Sequence, residues 1–304
     1  MMKPMRNLIV IAGPTASGKT EVAVRVAQMY DTCIISADAR QFYKEIPIGT
    51  AAPDAITLQS VQHHFVGHLS IHDPFDAGMF AEATISLLET LFLEHNTVVL
   101  CGGSGLFIKA VTDGLDTLPD VPTEIRDQVR ALFSVHGLLR LQQEVAARDP
   151  EYYQKADIKN PMRLMRALEI CLATGKTYSE FRAGNPVPRA FTSVKICLDI
   201  PRSELYQRID ARVDAMMQAG LLEEARRVYP HRHVAALQTV GYKELFDHFD
   251  GKYTLPEAIA AIKQHSRNYA KRQVTWFKHT GGYHLVHPKT IDQFLIEQYI
   301  KRSN

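Results

Sequence analysis

The sequence predicts an α/β fold, a parallel sheet flanked by helices, with a helical insertion domain. Three observations lead there. Short apolar runs rich in β-branched residues alternate with helical patterns through the N-terminal third, as in a parallel sheet covered on both faces. The first run meets the first helix through Gly13-Pro14-Thr15-Ala16-Ser17-Gly18-Lys19-Thr20, a complete G-x-x-x-x-G-K-[ST] phosphate loop in the strand–loop–helix setting that such a loop needs. From Pro119 to about Arg182, helical patterns follow one another without a strand, which marks an insertion.

Taken in order, Leu8–Ala12 is the strand feeding the loop, and Glu21–Met29 lies in the helix after it. Cys33–Ser36 and Val98–Cys101 read as the second and third strands, with helices over Ala77–His95 and Gly105–Ala110. In the insertion, Asp120–Gly137, Leu138–Arg148 and Arg163–Thr174 read as successive helices, with Pro119, Pro122, Pro186 and Pro188 near its ends. Val194–Leu198 returns to the sheet, followed by helices Ser203–Ala219, Leu221–Tyr229 and Leu255–His279 and a further strand candidate, Tyr283–Val286. The frame is P-loop NTPase-like. Its expected organisation is a first part of the core over residues 1–118, the insertion over 119–190, and completion of the core with C-terminal helices over 191–304.

The phosphate loop carries the strongest chemical signal. Its glycines let the backbone fold tightly, so successive N–H groups point inward at a diphosphate; Lys19 adds a point charge and the Thr20 hydroxyl suits Mg²⁺. The loop specifies a polyphosphate, not ATP. Ligands of such sheets gather at the carboxyl ends of the strands, where the loop, Ala37–Gln41 and Gly102–Gly105 are expected to converge.

Composition narrows the rest. Hydrophobic residues at 46% and charged residues at 22% fit a soluble globular protein, and a net charge of +2 means that any nucleic-acid surface must be local. Four cysteines (Cys33, Cys101, Cys171, Cys197) form no C-x-x-C pair; three sit in apolar runs and read as buried free thiols of a reducing compartment, so a cytoplasmic location is expected. No apolar run approaches the ~18 residues of a membrane span, and no membrane role is expected.

Asp38, at the mouth of the sheet beside the phosphate loop, can accept a proton or orient Mg²⁺; a helix cap or a salt bridge with Arg40 is the simpler alternative. Gly102-Gly103-Ser104-Gly105 permits close backbone approach, and Ser104 offers a hydroxyl or an N-cap. His64, His68 and His72 have a metal-like spacing, but Gly67 and the neighbouring apolar residues argue against one helix face. Residues 261–280 hold Lys263, Arg267, Lys271, Arg272 and Lys278 and no acid, with Tyr269, Trp276 and Phe277 interleaved. Cations anchor phosphates and aromatics stack bases; a solvated helix face is the alternative. Arg163 and Arg166 form a smaller cationic pair.

Together these segments resemble the tRNA dimethylallyltransferase family. The matching strings are GPTASGKT (13–20), SADARQ (36–41), IGTAAP (48–53), GGSGLFIK (102–109), NPMRLMRALE (160–169), LQTVGYKE (237–244) and YAKRQVTW (269–276), spanning most of the chain. The family pattern has serine where Ala39 stands, threonine where Ser104 stands and tyrosine where Phe107 stands. The resemblance implies transfer of a dimethylallyl group from its diphosphate to N6 of the tRNA adenosine just 3′ of the anticodon, with release of diphosphate. It implies catalytic roles for Asp38, Ser104 and Arg212, with Mg²⁺ at Thr20. It implies tRNA contacts at Asp38, Ala39, Arg40, Gln41, Ser104 and Arg126; at Met162, Arg163, Leu164, Met165 and Arg166; at Gln238, Thr239, Val240, Gly241, Tyr242 and Lys243; and at Lys271, Arg272, Gln273, Trp276 and Lys278. The target base must leave its stack to react, so a channel open at both ends is expected, with tRNA held by the anticodon stem–loop and the enzyme a monomer.

Two other classes use the same loop. One comprises small-molecule kinases, with Arg163 and Arg166 as lid arginines, and the related prenyltransferases of free AMP or ADP; neither needs the insertion or the basic–aromatic tail. The other is a non-catalytic RNA-binding protein, against which stands Asp38.

Overall fold

The computed structural model describes residues 6–182 and 187–299. Its sheet has six parallel strands in the order β3-β2-β4-β1-β5-β6. In chain order the elements are β1 (Asn7–Ala12), α1 (Lys19–Met29), β2 (Ile34–Ser36), α2 (Ala55–Ser60), β3 (His63–His64), α3 (Ala77–Glu94), β4 (Thr97–Gly102) and α4 (Gly105–Thr112). Then come α5 (Thr123–Arg148), α6 (Pro150–Lys155), α7 (Pro161–Thr174), β5 (Thr192–Leu198), α8 (Arg202–Gln218) and α9 (Leu221–Val228). The chain continues through α10 (Tyr242–Phe249), α11 (Leu255–Thr280), β6 (Tyr283–Val286) and α12 (Ile291–Tyr299).

Side-chain alternation along β1 sorts the core. Leu8, Val10 and Ala12 face Phe80 and Leu88 of α3, Ile108 of α4 and Phe277 of α11, while Ile9 and Ile11 face Val22 and Val26 of α1 and Ile291 and Leu295 of α12. Both faces are therefore apolar, as a parallel sheet requires. A third cluster joins Tyr43, Ile46 and Ile71 to α9, α10 and the first half of α11.

Two units are distinct: Met1–Asp113 with Arg189–Asn304, and Gly114–Pro188. The insertion was expected over 119–190. The shifted limits have a physical basis, since Asp113 receives Lys195 Nζ at 2.6 Å and Arg189 Nη2 donates to the Ala110 carbonyl at 2.7 Å, both within the core unit. Pro186, expected near the insertion's end, lies outside the described residues. Inside the insertion unit, Val129, Leu141 and Val145 of α5 pack with Tyr152 of α6 and Leu164 and Leu168 of α7. Asp149, buried, accepts the N–H groups of Tyr152 and Ser179, so its oxygens have their partners. The expected break between two helices near Gly137 is a kink within α5, where Gly137 takes a φ of +69°. Helices α2, α6, α10 and α12 and the two-residue β3 were not expected; they are too short or too polar for a clear period.

Candidate active site

β1, β2 and β4 are adjacent in the sheet, so the segments leaving their carboxyl ends meet. β1 opens into the phosphate loop, where Ala16 (φ +62°) and Gly18 (φ +85°) are left-handed. These reversals turn the backbone inward and leave α1 without a side-chain cap, so the first-turn N–H groups have no partner within the helix. Lys19 Nζ reaches back to the Pro14 carbonyl at 2.8 Å, and burial pushes its pKa down. Ser17 Oγ is buried with no protein partner. An uncapped helix end, a half-buried cation and an orphan hydroxyl fit a diphosphate.

β2 opens into Ala37–Gln41, and β4 into Gly102–Gly105. The two are laced together: Ala37 N–H donates to the Cys101 carbonyl at 2.7 Å and Ala39 N–H to Ser104 Oγ at 2.9 Å. Ser104 therefore supports the Asp38 segment through its oxygen. Gln41 Nε2 donates to the Ala51 carbonyl at 2.9 Å, and Arg40 Nη1 to the Ala236 carbonyl at 3.0 Å. The convergence expected at the strand ends is thus present.

Two cavities meet here. One, of about 470 Å³, is lined by Thr15–Glu21, Asp38, Gln41, Arg208 and Arg212. The other, of about 180 Å³, is lined by Arg40, Thr50, Met216, Thr239, Val240, Gly241 and Tyr269. Thr15, Asp38 and Arg212 line both. Arg212 is pushed down by burial and held up by the neighbouring Asp38 carboxylate. Cys101 also lines the first cavity, but burial pushes its thiol up to about 12, so it is no thiolate nucleophile at neutral pH. Beyond the second cavity, Gln238, Lys243, Tyr269 and Arg272 line a more open surface hollow, with the Arg272 guanidinium 5.6 Å from the Tyr269 ring centroid.

Thr20 and Asp38 place a hydroxyl and a carboxylate on the first cavity, and among the described residues no three acidic, histidine or cysteine side chains form a metal cluster. That donor set fits a Mg²⁺ ion that arrives with a diphosphate and keeps waters as ligands. His64 lies in β3, and His68 packs edge-on against Phe42.

Several residues expected to contact tRNA are placed otherwise. Tyr242 is fully buried, its hydroxyl donating to Glu224 at 2.5 Å, because α10 turns that position into the third core cluster. Leu164 and Met165 are buried in the insertion's own core, since helical period sends them inward from the exposed Met162 and Arg163. Gln273 is buried and bonded to Thr15 and Gly103, but it does line the second cavity. Trp276 packs over Gly105, leaving no room for a Cβ there. Gln41 lines only the phosphate-loop cavity of the two. In the acid-free stretch, Lys263 and Arg267 pair with Asp214 and Asp210 of α8. Lys271, Arg272 and Lys278 are exposed, as is Arg126, and Arg166 lies 3.6 Å from Glu169.

Sequence reasoning missed Arg208, which lines the phosphate-loop cavity; its place one helical turn before Arg212 was the available signal. It also missed Glu224. This fully buried carboxylate accepts the N–H groups of Ile48 and Gly49 at 2.9 and 2.8 Å and so fixes the segment whose Thr50 carbonyl faces Arg212.

The family model described as IPP transferase matches residues 41–280. A tRNA dimethylallyltransferase of Azobacteroides pseudotrichonymphae is 46% identical over 290 residues, covering 95% of this chain and 94% of its own. One from Phocaeicola vulgatus is 47% identical over 298 residues, covering 98% of this chain and 99% of its own. The crystal structure of a tRNA isopentenylpyrophosphate transferase from Bacillus halodurans superposes with a TM-score of 0.72 at 30% identity, covering 99% of this chain and 98% of that one. A phosphate loop, a carboxylate between two cavities and this likeness along the whole chain agree, and the chain belongs to the IPP transferase family, a family of tRNA-modifying transferases.

Proposed function

We propose that this enzyme transfers a dimethylallyl group from dimethylallyl diphosphate to N6 of the adenosine just 3′ of the anticodon in tRNA. The observation that carries the reading is Asp38, which lines both the phosphate-loop cavity and the cavity beyond it. The donor's diphosphate lies in the first, against Lys19, the α1 N-terminus and Arg212; the extruded adenine enters the second. Adenine N6 is a weak nucleophile because its lone pair is delocalised into the ring. As the C–N6 bond forms and the allylic C–O bond breaks, the N6–H becomes acidic and Asp38 takes the proton. Negative charge grows on the leaving diphosphate, where the loop donors, Lys19 and Arg212 stabilise it. When bound, Mg²⁺ at Thr20 neutralises part of that charge.

A single chain lines both cavities, so a monomer suffices, and the tRNA substrate makes the cytoplasm the expected location. Exposed Lys271, Arg272 and Lys278, with the Tyr269–Arg272 pair at the outer hollow, supply phosphate contacts and a surface for unpaired bases. A kinase reading has no specific observation in its favour. The test mixes the enzyme, Mg²⁺, dimethylallyl diphosphate and unmodified tRNA, digests the RNA and weighs the nucleosides. A prenylated adenosine mapping 3′ of the anticodon is expected. Its absence, or phosphoryl transfer from ATP to a small acceptor, would refute the reading.

A further inference from the structure

Helix α11 buries a polar side chain in the middle of the site. Gln273 is 7% exposed, and both ends of its carboxamide are engaged. Oε1 accepts the Thr15 N–H at 2.8 Å and Nε2 donates to the Gly103 carbonyl at 2.8 Å. Both partners are backbone groups, so these bonds fix where two loops lie. Thr15 belongs to the phosphate loop and lines both cavities; Gly103 belongs to the loop whose Ser104 supports the Asp38 segment. The fit is tight, because a Cβ on Gly103 would strike Nε2 and one on Gly105 would strike the Trp276 indole.

We propose that Gln273 is a positioning residue for the donor: from the wall of the second cavity, its carboxamide holds the phosphate loop and the glycine loop at the separation that a diphosphate requires. The inference rests on reading Gly13–Thr20 as the diphosphate loop. The pairing needs one donor and one acceptor side by side, which a primary amide supplies. Methionine fills the volume with neither. Glutamate supplies only the acceptor when ionised and both when protonated.

The experiment compares wild type, Gln273→Met and Gln273→Glu as full-length chains. It measures the Kd of inorganic pyrophosphate, the Kd of an unmodified anticodon stem–loop, and donor KM and kcat in steps from about pH 9 to about pH 5, a range that covers glutamate from its buried toward its free titration. Ratios to wild type at the same pH cancel the titration of Asp38, Lys19 and other groups that both proteins share. Gln273→Met should raise donor KM and the pyrophosphate Kd about tenfold or more, with RNA Kd within about threefold of wild type. Gln273→Glu should lose as much at the alkaline end of that range and recover toward wild type at the acid end, as its carboxyl becomes a donor to Gly103. A general loss of packing would not recover with acid, so the glutamate profile decides the matter even where the methionine variant does not fold. Unchanged pyrophosphate affinity in the variants, a fall in RNA affinity alone, or a loss in Gln273→Glu indifferent to pH would each overturn the inference. Failure of wild type to bind pyrophosphate would instead overturn the loop reading beneath it.

Discussion

Helices α7 and α11 both present cations to solvent above a buried inner face, Arg163 on one and Lys271 with Arg272 on the other, but the inner faces differ in kind. In α7 the hidden residues are Leu164, Met165, Ala167 and Leu168, which meet Val129, Leu141 and Tyr152 and make the insertion unit's own core. In α11 the buried, apolar Ala270 and Phe277 flank Gln273, which with the half-buried Trp276 meets the phosphate and glycine loops. One surface pattern thus covers two functions. An apolar inner face contributes stability, while the single amide set into the apolar face of α11 is proposed to hold the loops of the site.

Leu164→Ala should separate the two most strongly. Deleting a fully buried leucine costs about 2–5 kcal/mol, so denaturant unfolding of the insertion should move to lower concentration. Pyrophosphate binding by the core unit should hold; its loss would erase the contrast. Gly105→Ala comes next. Its methyl would meet the Trp276 indole, and overpacking of that kind costs about 1–3 kcal/mol. Here the loss should appear as an increase in donor KM, read by steady-state kinetics at saturating tRNA; a shift in stability with unchanged KM would make α11 a second α7.

The outer faces should show smaller effects. Neutralising Lys271 and Arg272 together should weaken tRNA binding and flatten the log–log salt dependence by about one unit per lost phosphate contact, with donor KM unmoved. A salt slope equal to wild type would reduce this face to solvated charge. Smallest of all should be Lys263→Ala and Arg267→Ala. Their cations already pair with Asp214 and Asp210, so the expected change in stability is only about 0–1 kcal/mol, and the tRNA salt slope, measured by titration at several salt concentrations, should stay put.

What could be read beforehand followed from local order. Gly13–Thr20, Asp38 and Gly102–Gly105 each sit directly after a strand, and the parallel sheet alone brings those ends together. Contacts between distant segments were not legible. Gln273 and Thr15 are 258 residues apart, and Glu224 lies 176 residues from Ile48, so no window contains either pair. Lys263 and Arg267 looked unpaired because their acids lie on α8. The matching spacing, four residues between Asp210 and Asp214 and four between the two cations, was a signal for antiparallel pairing. The inward turn of Leu164 and Met165 between two arginines was also available from helical period alone.

In the proposed reaction Asp38 takes the N6 proton as the new bond forms. Single-turnover prenyl transfer by Asp38→Asn, with donor and tRNA both saturating and tRNA Kd measured alongside, tests it most directly. The rate should fall by about 10² or more with tRNA affinity nearly unchanged, the loss expected when a general base is removed. A rate within a few-fold of wild type would contradict it.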